Sequence, residues 1–139
     1  MYSHILVPVD LDEASSWGKA VQTARKLAEN FAARLTLCTV VPDNAAMLKA
    51  GWSPPSYDAL LEKAAARLIL LKNELGLDEA QTEVGMGSVA NGVLALAERG
   101  DVDLIVLSAH RPEMQDWLLG TNTSRIVRHA KCSVFVVRD

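Results

Sequence analysis

Apolar residues gather in four short runs along the chain, Ile5 to Val9, Leu35 to Val41, Leu104 to Leu107 and Val134 to Val137, each followed by a turn signal or the chain end. Runs this short, several of them rich in Val and Ile, predict buried strands. Between the first two, Trp17, Ala20, Val21, Ala24, Leu27, Ala28 and Phe31 recur every three or four positions, as one face of a helix requires. Ser15 or Ser16 can cap that helix. A second helix is predicted after Pro54-Pro55, with Ser56 as cap, Asp58 in the first turn and Gly76 as the stop. Its inner face carries Tyr57, Leu60, Leu61, Ala64, Leu68, Leu71 and Leu75. Gln81 to Met86 alternates polar and apolar residues, the pattern of a less covered strand at a sheet edge. Ser88 caps a third helix that packs through Val89, Val93, Leu96 and Ala97 and closes at Gly100. The last helix starts between Gly120 and Ser124 and buries Ile126, Val127 and Ala130. It ends beside Arg128, His129 and Lys131, cations suited to a helix C-terminus.

Strands and helices therefore alternate, which implies a parallel sheet with helices on both faces. The one long connection without a regular pattern, Pro42 to Pro55 with its Gly51-Trp52, is either a partner-contacting flap or a plain surface loop. At 139 residues, half of them hydrophobic, the chain predicts one domain over 1–139 with a real core and excludes intrinsic disorder. A net charge of -3 without a long basic run leaves no footprint for nucleic-acid binding. Cys38 and Cys132 sit in apolar stretches, as cysteines do in a reducing compartment. No apolar run approaches the ~18 residues needed to cross a bilayer, and MYSHILVPVD has no signal-peptide pattern. The expectation is a soluble cytoplasmic protein.

Most chemical motifs have plainer readings. Gly85 to Ala90 spells GxGxxA between a strand and a helix, but the strand before it is half polar and Asp103 lies at the wrong end of its own strand to hold a ribose. Turn glycines before a capped helix explain the match. No GxxxxGK(S/T) loop is present, which removes Walker-type phosphoryl transfer. Asp10 and Asp12 supply only the first half of a response-regulator site, since Met86-Gly87 stands where the phosphoacceptor belongs. His4, His110 and His129 are scattered, with no second ligand at metal spacing, so no metal site is expected. Ser108 and His110 lack an orienting acid, so no catalytic residue is assigned.

Two loops remain. Asp10 ends the first strand, and Ser108-Ala109-His110-Arg111 follows the fourth, leading to Gly120-Thr121-Asn122-Thr123-Ser124 at the start of the last helix. A glycine that admits close approach, followed by hydroxyl and amide side chains at a helix N-terminus, can hold phosphate; an ordinary cap is the other reading.

The stretch SAHRPEMQDWLLGTNTSRIVRHAKCSVFVVR, with HILVPVD and DLIVLSAH, resembles the universal stress protein family in its short single-domain bacterial form, over the whole chain. The resemblance implies an adenine nucleotide alpha hydrolase-like fold, a five-stranded parallel sheet ordered 3-2-1-4-5, with a crevice where strands one and four diverge. It implies Pro8, Val9, Asp10 and Val40 for a nucleoside and Gly120, Thr121, Asn122 and Thr123 for phosphates. The family's ATP motif, G-x2-G-x9-G-(S/T), keeps its last pair as Gly120-Thr121, while Ser108 and Arg111 replace its first two glycines and the spacing is one residue shorter. Arg111 either grips phosphate through its guanidinium or fills the crevice, with Ser108 and His110 beside it.

The implied ligand is ATP or the shorter AMP, with Mg2+ allowed for, and the implied role is a stress sensor or regulatory module. The resemblance also implies a homodimer paired through Val134 to Val137. A nucleotide-independent dimeric interaction protein and a slow ATP hydrolase are the alternative readings.

Overall fold

A computed structural model describes residues 1–13, 17–42, 54–109 and 121–138. The apolar runs become β1 (His4–Pro8), β2 (Arg34–Val41), β4 (Leu104–Ala109) and β5 (Ser133–Arg138), and the alternating segment becomes β3 (Gln81–Met86). All pairings are parallel, in the order β3-β2-β1-β4-β5. Parallel strands are joined by crossovers that cover both faces of the sheet, so central strands need apolar side chains on both sides. β1, β2 and β4 meet that need with continuous burial, whereas the edge strands β3 and β5 alternate. Val134 to Val137, expected as a buried strand from their apolar run, are only partly covered. With β4 its only neighbour among the described strands, β5 buries Val137, half-buries Val134 and Val136, and leaves Phe135 45% exposed.

The described helices are α1 (Gly18–Phe31), α2 (Pro54–Glu74), α3 (Val89–Arg99) and α4 (Thr121–His129). Successive strand residues face opposite sides, which divides the core in two. Ile5, Val7, Leu104 and Val106 pack with Ala20, Ala24 and Ala28 of α1 and Leu68 of α2. Leu6, Cys38, Ile105 and Leu107 pack on the other face with Val93 and Leu96 of α3 and Ile126 of α4.

Several local expectations change. Ser56 is not the cap of α2, which begins at Pro54; prolines are tolerated in a first turn because its N–H groups have no helical partner anyway. The predicted caps of α1, Ser15 and Ser16, lie outside the described residues, as do residues 43–53 of the expected flap. Val89 and Val127 were expected inside and are exposed. Val89 is the first residue of α3, and Val127 is turned about 100° from the buried Ile126. Gly76 ends α2 as predicted, at φ 68°, and the Ser88 hydroxyl accepts the Asn91 N–H at 3.4 Å to cap α3.

Candidate functional site

β1 pairs with β2 along its whole length, from His4 beside Arg34 to Pro8 beside Cys38, and the Val9 N–H extends the ladder to the Cys38 carbonyl at 2.8 Å. On its other side β1 pairs with β4 only at Ile5–Leu104 and Leu6–Ile105, although β4 and β5 stay paired to Ala109–Arg138. Chemistry explains the early end. Peptide groups of a strand point alternately to its two neighbours. The Val9 N–H faces β2, and the His4 carbonyl, which accepts the Asp103 N–H, faces β4. The N–H of residue 8 would therefore face β4, but Pro8 has none to donate. Past Leu6 and Ile105 the strands part, and their connections leave for α1 on one face and α4 on the other. This is the switch-point crevice of a doubly wound sheet.

Asp10 forms one lip of the crevice. It is exposed, and the turn around it is closely bonded: Asp10 Oδ1 accepts the Asp12 N–H at 3.0 Å, and the Asp10 carbonyl accepts the Glu13 N–H at 3.1 Å and the Trp17 indole N–H at 2.9 Å. A short carboxylate bonded two residues ahead is an Asx turn, which reverses the chain directly after the strand. Arg67 of α2 reaches the same turn, donating from Nη2 to the Leu11 carbonyl at 3.1 Å, with Nη1 3.1 Å from Asp12 Oδ1.

Val9 and Val40 are placed at the crevice, yet their side chains serve the core. Val9 is buried among the residues facing α1, and Val40 faces α3. Val40 lies two residues past Cys38, beyond the end of the β1 pairing. It is held by two glycines: a Cβ at Gly92 would lie 2.8 Å from both Val40 methyls and 3.0 Å from the Met86 carbonyl, and one at Gly85 would lie 3.2 Å from a Val40 methyl. Gly92 was missed in the sequence, and its signal is a glycine inside an otherwise good helix, where it is unfavourable. The GxGxxA match is thereby explained: Gly87 turns at φ 89°, Ser88 caps, and Gly85 admits Val40 and Leu96.

On the opposite lip, Ser108 is half-buried near the end of β4, in register with Val137. Thr121 opens α4, with Thr121 and Asn122 exposed and Thr123 half-buried. Helix first turns carry N–H groups without helical partners, which suits an anion. His110, Arg111 and Gly120 lie outside the described residues.

Polar chemistry at the other end of the sheet is structural. His4 is the first residue of β1 and is buried, its Nδ1 2.8 Å from the Gly100 carbonyl and its Nε2 2.7 Å from the Thr36 hydroxyl. A carbonyl only accepts, so Nδ1 carries a proton and donates to Gly100, while the Thr36 hydroxyl, which can donate or accept, suits Nε2 either way. Asp103 accepts the Ser3 and His4 N–H groups and the Ser3 hydroxyl, tying the start of β4 to the start of β1. Desolvation pushes its carboxyl up, but these bonds outweigh it and hold the group below its ordinary value. Burial raises both thiols, with Glu83 adding to the effect at Cys38 and Asp103 at Cys132; both cysteines are free. Among the described residues no group of three His, Cys, Asp or Glu side chains gathers to hold a metal. A hollow of about 730 Å³ lies far from the crevice, between the end of α1 and the turn after α2, where Arg25 is engaged by the Leu75 carbonyl and Glu29. It is an open groove lined by charged side chains of both signs, among them Arg25, Glu29, Arg34, Asp78 and Glu79, and it lies away from the C-terminal strand ends where ligands bind in sheets of this kind. No described helix is long and apolar enough to cross a membrane.

Residues 1–138 match the universal stress protein family. The chain is 32% identical over 143 aligned residues to universal stress protein G of Salmonella typhimurium, covering 99% of this chain and all of that protein. Universal stress protein UspA from Lactobacillus plantarum has a similar structure, with a TM-score of 0.70, 29% identity and coverage of 99% and 98% of the two chains. A universal stress protein solved in complex with cAMP aligns with a TM-score of 0.63 at 21% identity, over 99% of this chain and 97% of that one.

Proposed function

The chain belongs to the universal stress protein family, and from that premise we propose that it binds an adenine nucleotide, ATP or AMP, in the β1–β4 crevice and acts as a sensor or regulatory module. The observation that carries this reading is the parting of β1 and β4 beyond Leu6 and Ile105, with a carboxylate on one lip and a helix N-terminus on the other. The cAMP complex of a protein of like fold supports it. In this reading Pro8 and the backbone of Val9 and Val40 meet the base, and Asp10 accepts from a ribose or base donor. Phosphate lies against Gly120, Thr121, Asn122 and Thr123, where first-turn amides favour an anion. Arg111 grips phosphate in place of a motif glycine, with Ser108 and His110 nearby, which favours AMP over a longer ATP that needs open backbone.

Equilibrium titration with labelled ATP and AMP, with and without Mg2+, tests the proposal: saturable binding is expected, and no binding to either refutes it. A product assay on the same samples separates binding from slow hydrolysis. A dimeric interaction role is supported by a separate observation, the outer side of β5, which pairs with no other described strand, with its exposed Phe135. We assign that edge, Val134 to Val137, to a symmetric contact between two copies of the chain.

A further inference from the structure

A residue outside the crevice fixes the lip that carries Asp10. The bonds from Asp12 and Glu13 N–H to Asp10 set the shape of the turn, and the Trp17 indole N–H anchors its first residue through the Asp10 carbonyl, which leaves Leu11 and Asp12 to be placed from elsewhere. Arg67 belongs to another layer of the fold. It lies in the middle of α2, beside the buried Ala64 and Leu68 that seat the helix. Helical side chains lean toward the helix N-terminus, and α2 runs back from the end of β2 toward the start of β3. A long side chain at position 67 therefore reaches up to the strand ends.

We propose that Arg67 is a positioning residue for the nucleotide site, holding the Asp10 turn in its binding geometry before ligand arrives. The proposal rests on the adenine-nucleotide reading above. Two acceptors on consecutive residues, the Leu11 carbonyl and the Asp12 carboxylate, are met by two nitrogens of one guanidinium. That is a task for a planar fork rather than a point charge. Asp10 Oδ1 is committed to the Asp12 N–H, so the placement of Asp12 sets where the remaining Asp10 oxygen points. The pair is open to solvent, with the Arg67 and Asp12 side chains 41% and 81% exposed, so it contributes little to global stability. Its effect falls on the order of one turn. Without it, part of the binding free energy goes into ordering that turn, and affinity drops.

The test compares full-length wild type, Arg67→Ala, Arg67→Lys, Asp10→Ala and the Asp10→Ala/Arg67→Ala double variant. AMP affinity is measured by titration, amide exchange at Asp12 and Glu13 in the free protein, and the thermal midpoint by calorimetry. Arg67→Ala should weaken AMP roughly three- to tenfold, the scale of one lost hydrogen bond. It should also speed exchange at both amides and leave the midpoint nearly unchanged, and Arg67→Lys should restore part of both effects. Once Asp10 is gone, removing Arg67 should change affinity little further. Wild type that binds AMP while Arg67→Ala binds equally, or fully additive losses, overturns the positioning role alone. Wild type that binds no AMP or ATP overturns the nucleotide reading and this role with it.

Discussion

Replacing Gly92 with alanine sets two effects of opposite sign against each other. In a free helix interior, Gly to Ala stabilises by about 0.8–1 kcal/mol. At position 92 the added carbon would stand 2.8 Å from both Val40 methyls and 3.0 Å from the Met86 carbonyl, far inside van der Waals contact. Val40 is β-branched and stiff at χ1, so rotation exchanges one methyl for the other without clearing the space. The carbonyl belongs to the backbone at the end of β3 and cannot swing away. Overpacking of this kind costs about 1–3 kcal/mol, which leaves a net loss of about 1 kcal/mol, or about 4 °C in midpoint for a chain of this length. Val40→Ala removes the two methyls and costs about 1–2 kcal/mol by itself. Because the clash is with those methyls, Gly92→Ala/Val40→Ala should be more stable than the sum of the single changes by at least ~1 kcal/mol. Urea unfolding of the four proteins reads this directly. A Gly92→Ala variant more stable than wild type, or strict additivity in the cycle, would refute the account of why α3 carries a glycine against β2.

Three further outcomes follow from the same geometry. Asp10→Ala should weaken adenine-nucleotide binding by roughly ten- to a hundredfold, about 1.5–3 kcal/mol for a bond to a charged group, with an unchanged circular dichroism spectrum; unaltered affinity removes Asp10 from the site. Val136→Pro should give a monomer in sedimentation where wild type is a dimer. The Ser133 N–H faces β4, so alternation turns the Val136 N–H to the open edge, and its loss spares the β4–β5 ladder; a monomeric wild type at micromolar concentration contradicts the edge pairing. Asp103→Asn should lose about 1–2 kcal/mol of stability at neutral pH. The native carboxyl is held below its ordinary value, so its contribution is present above the unfolded pKa of about 3.9 and disappears as pH falls through the lower folded value. A gap between the two proteins that persists unchanged in acid would contradict that cause.

The sheet was legible because its signals are local. Continuous burial at Ile5, Leu6 and Val7 and alternation at Gln81 to Met86 distinguish a central strand from an edge strand within a few residues. The order of the strands came from the resemblance carried by the C-terminal third, and the pairing agrees with it. Local reading failed where one residue has two plausible faces. Val127 looks as apolar as Ile126, but in this nine-residue helix only Ile126 is buried, and Val127, turned about 100° further round, falls on the exposed side. Ser56 has the side chain of a cap, but the helix already begins at Pro54, and Pro54 and Pro55 have no N–H that a cap would satisfy.

The candidate site was legible only in part, because what shapes it is long-range. Asp10 stands out as a carboxylate closing an apolar strand. Arg67 is one charge on a helix face, and its contact with Leu11 spans 56 positions of sequence. Gly92 and Val40 are also far apart in the chain, and neither has a motif. Pro8 occupies an intermediate case: its missing N–H is visible in the sequence, but the consequence depends on which neighbour residue 8 faces. Only the parity set by Val9 toward Cys38 and by His4 toward Asp103 assigns that lost donor to the β4 side. A change such as Val9→Pro, one position later, would act on the β2 side instead, breaking a ladder bond of the core without widening the crevice.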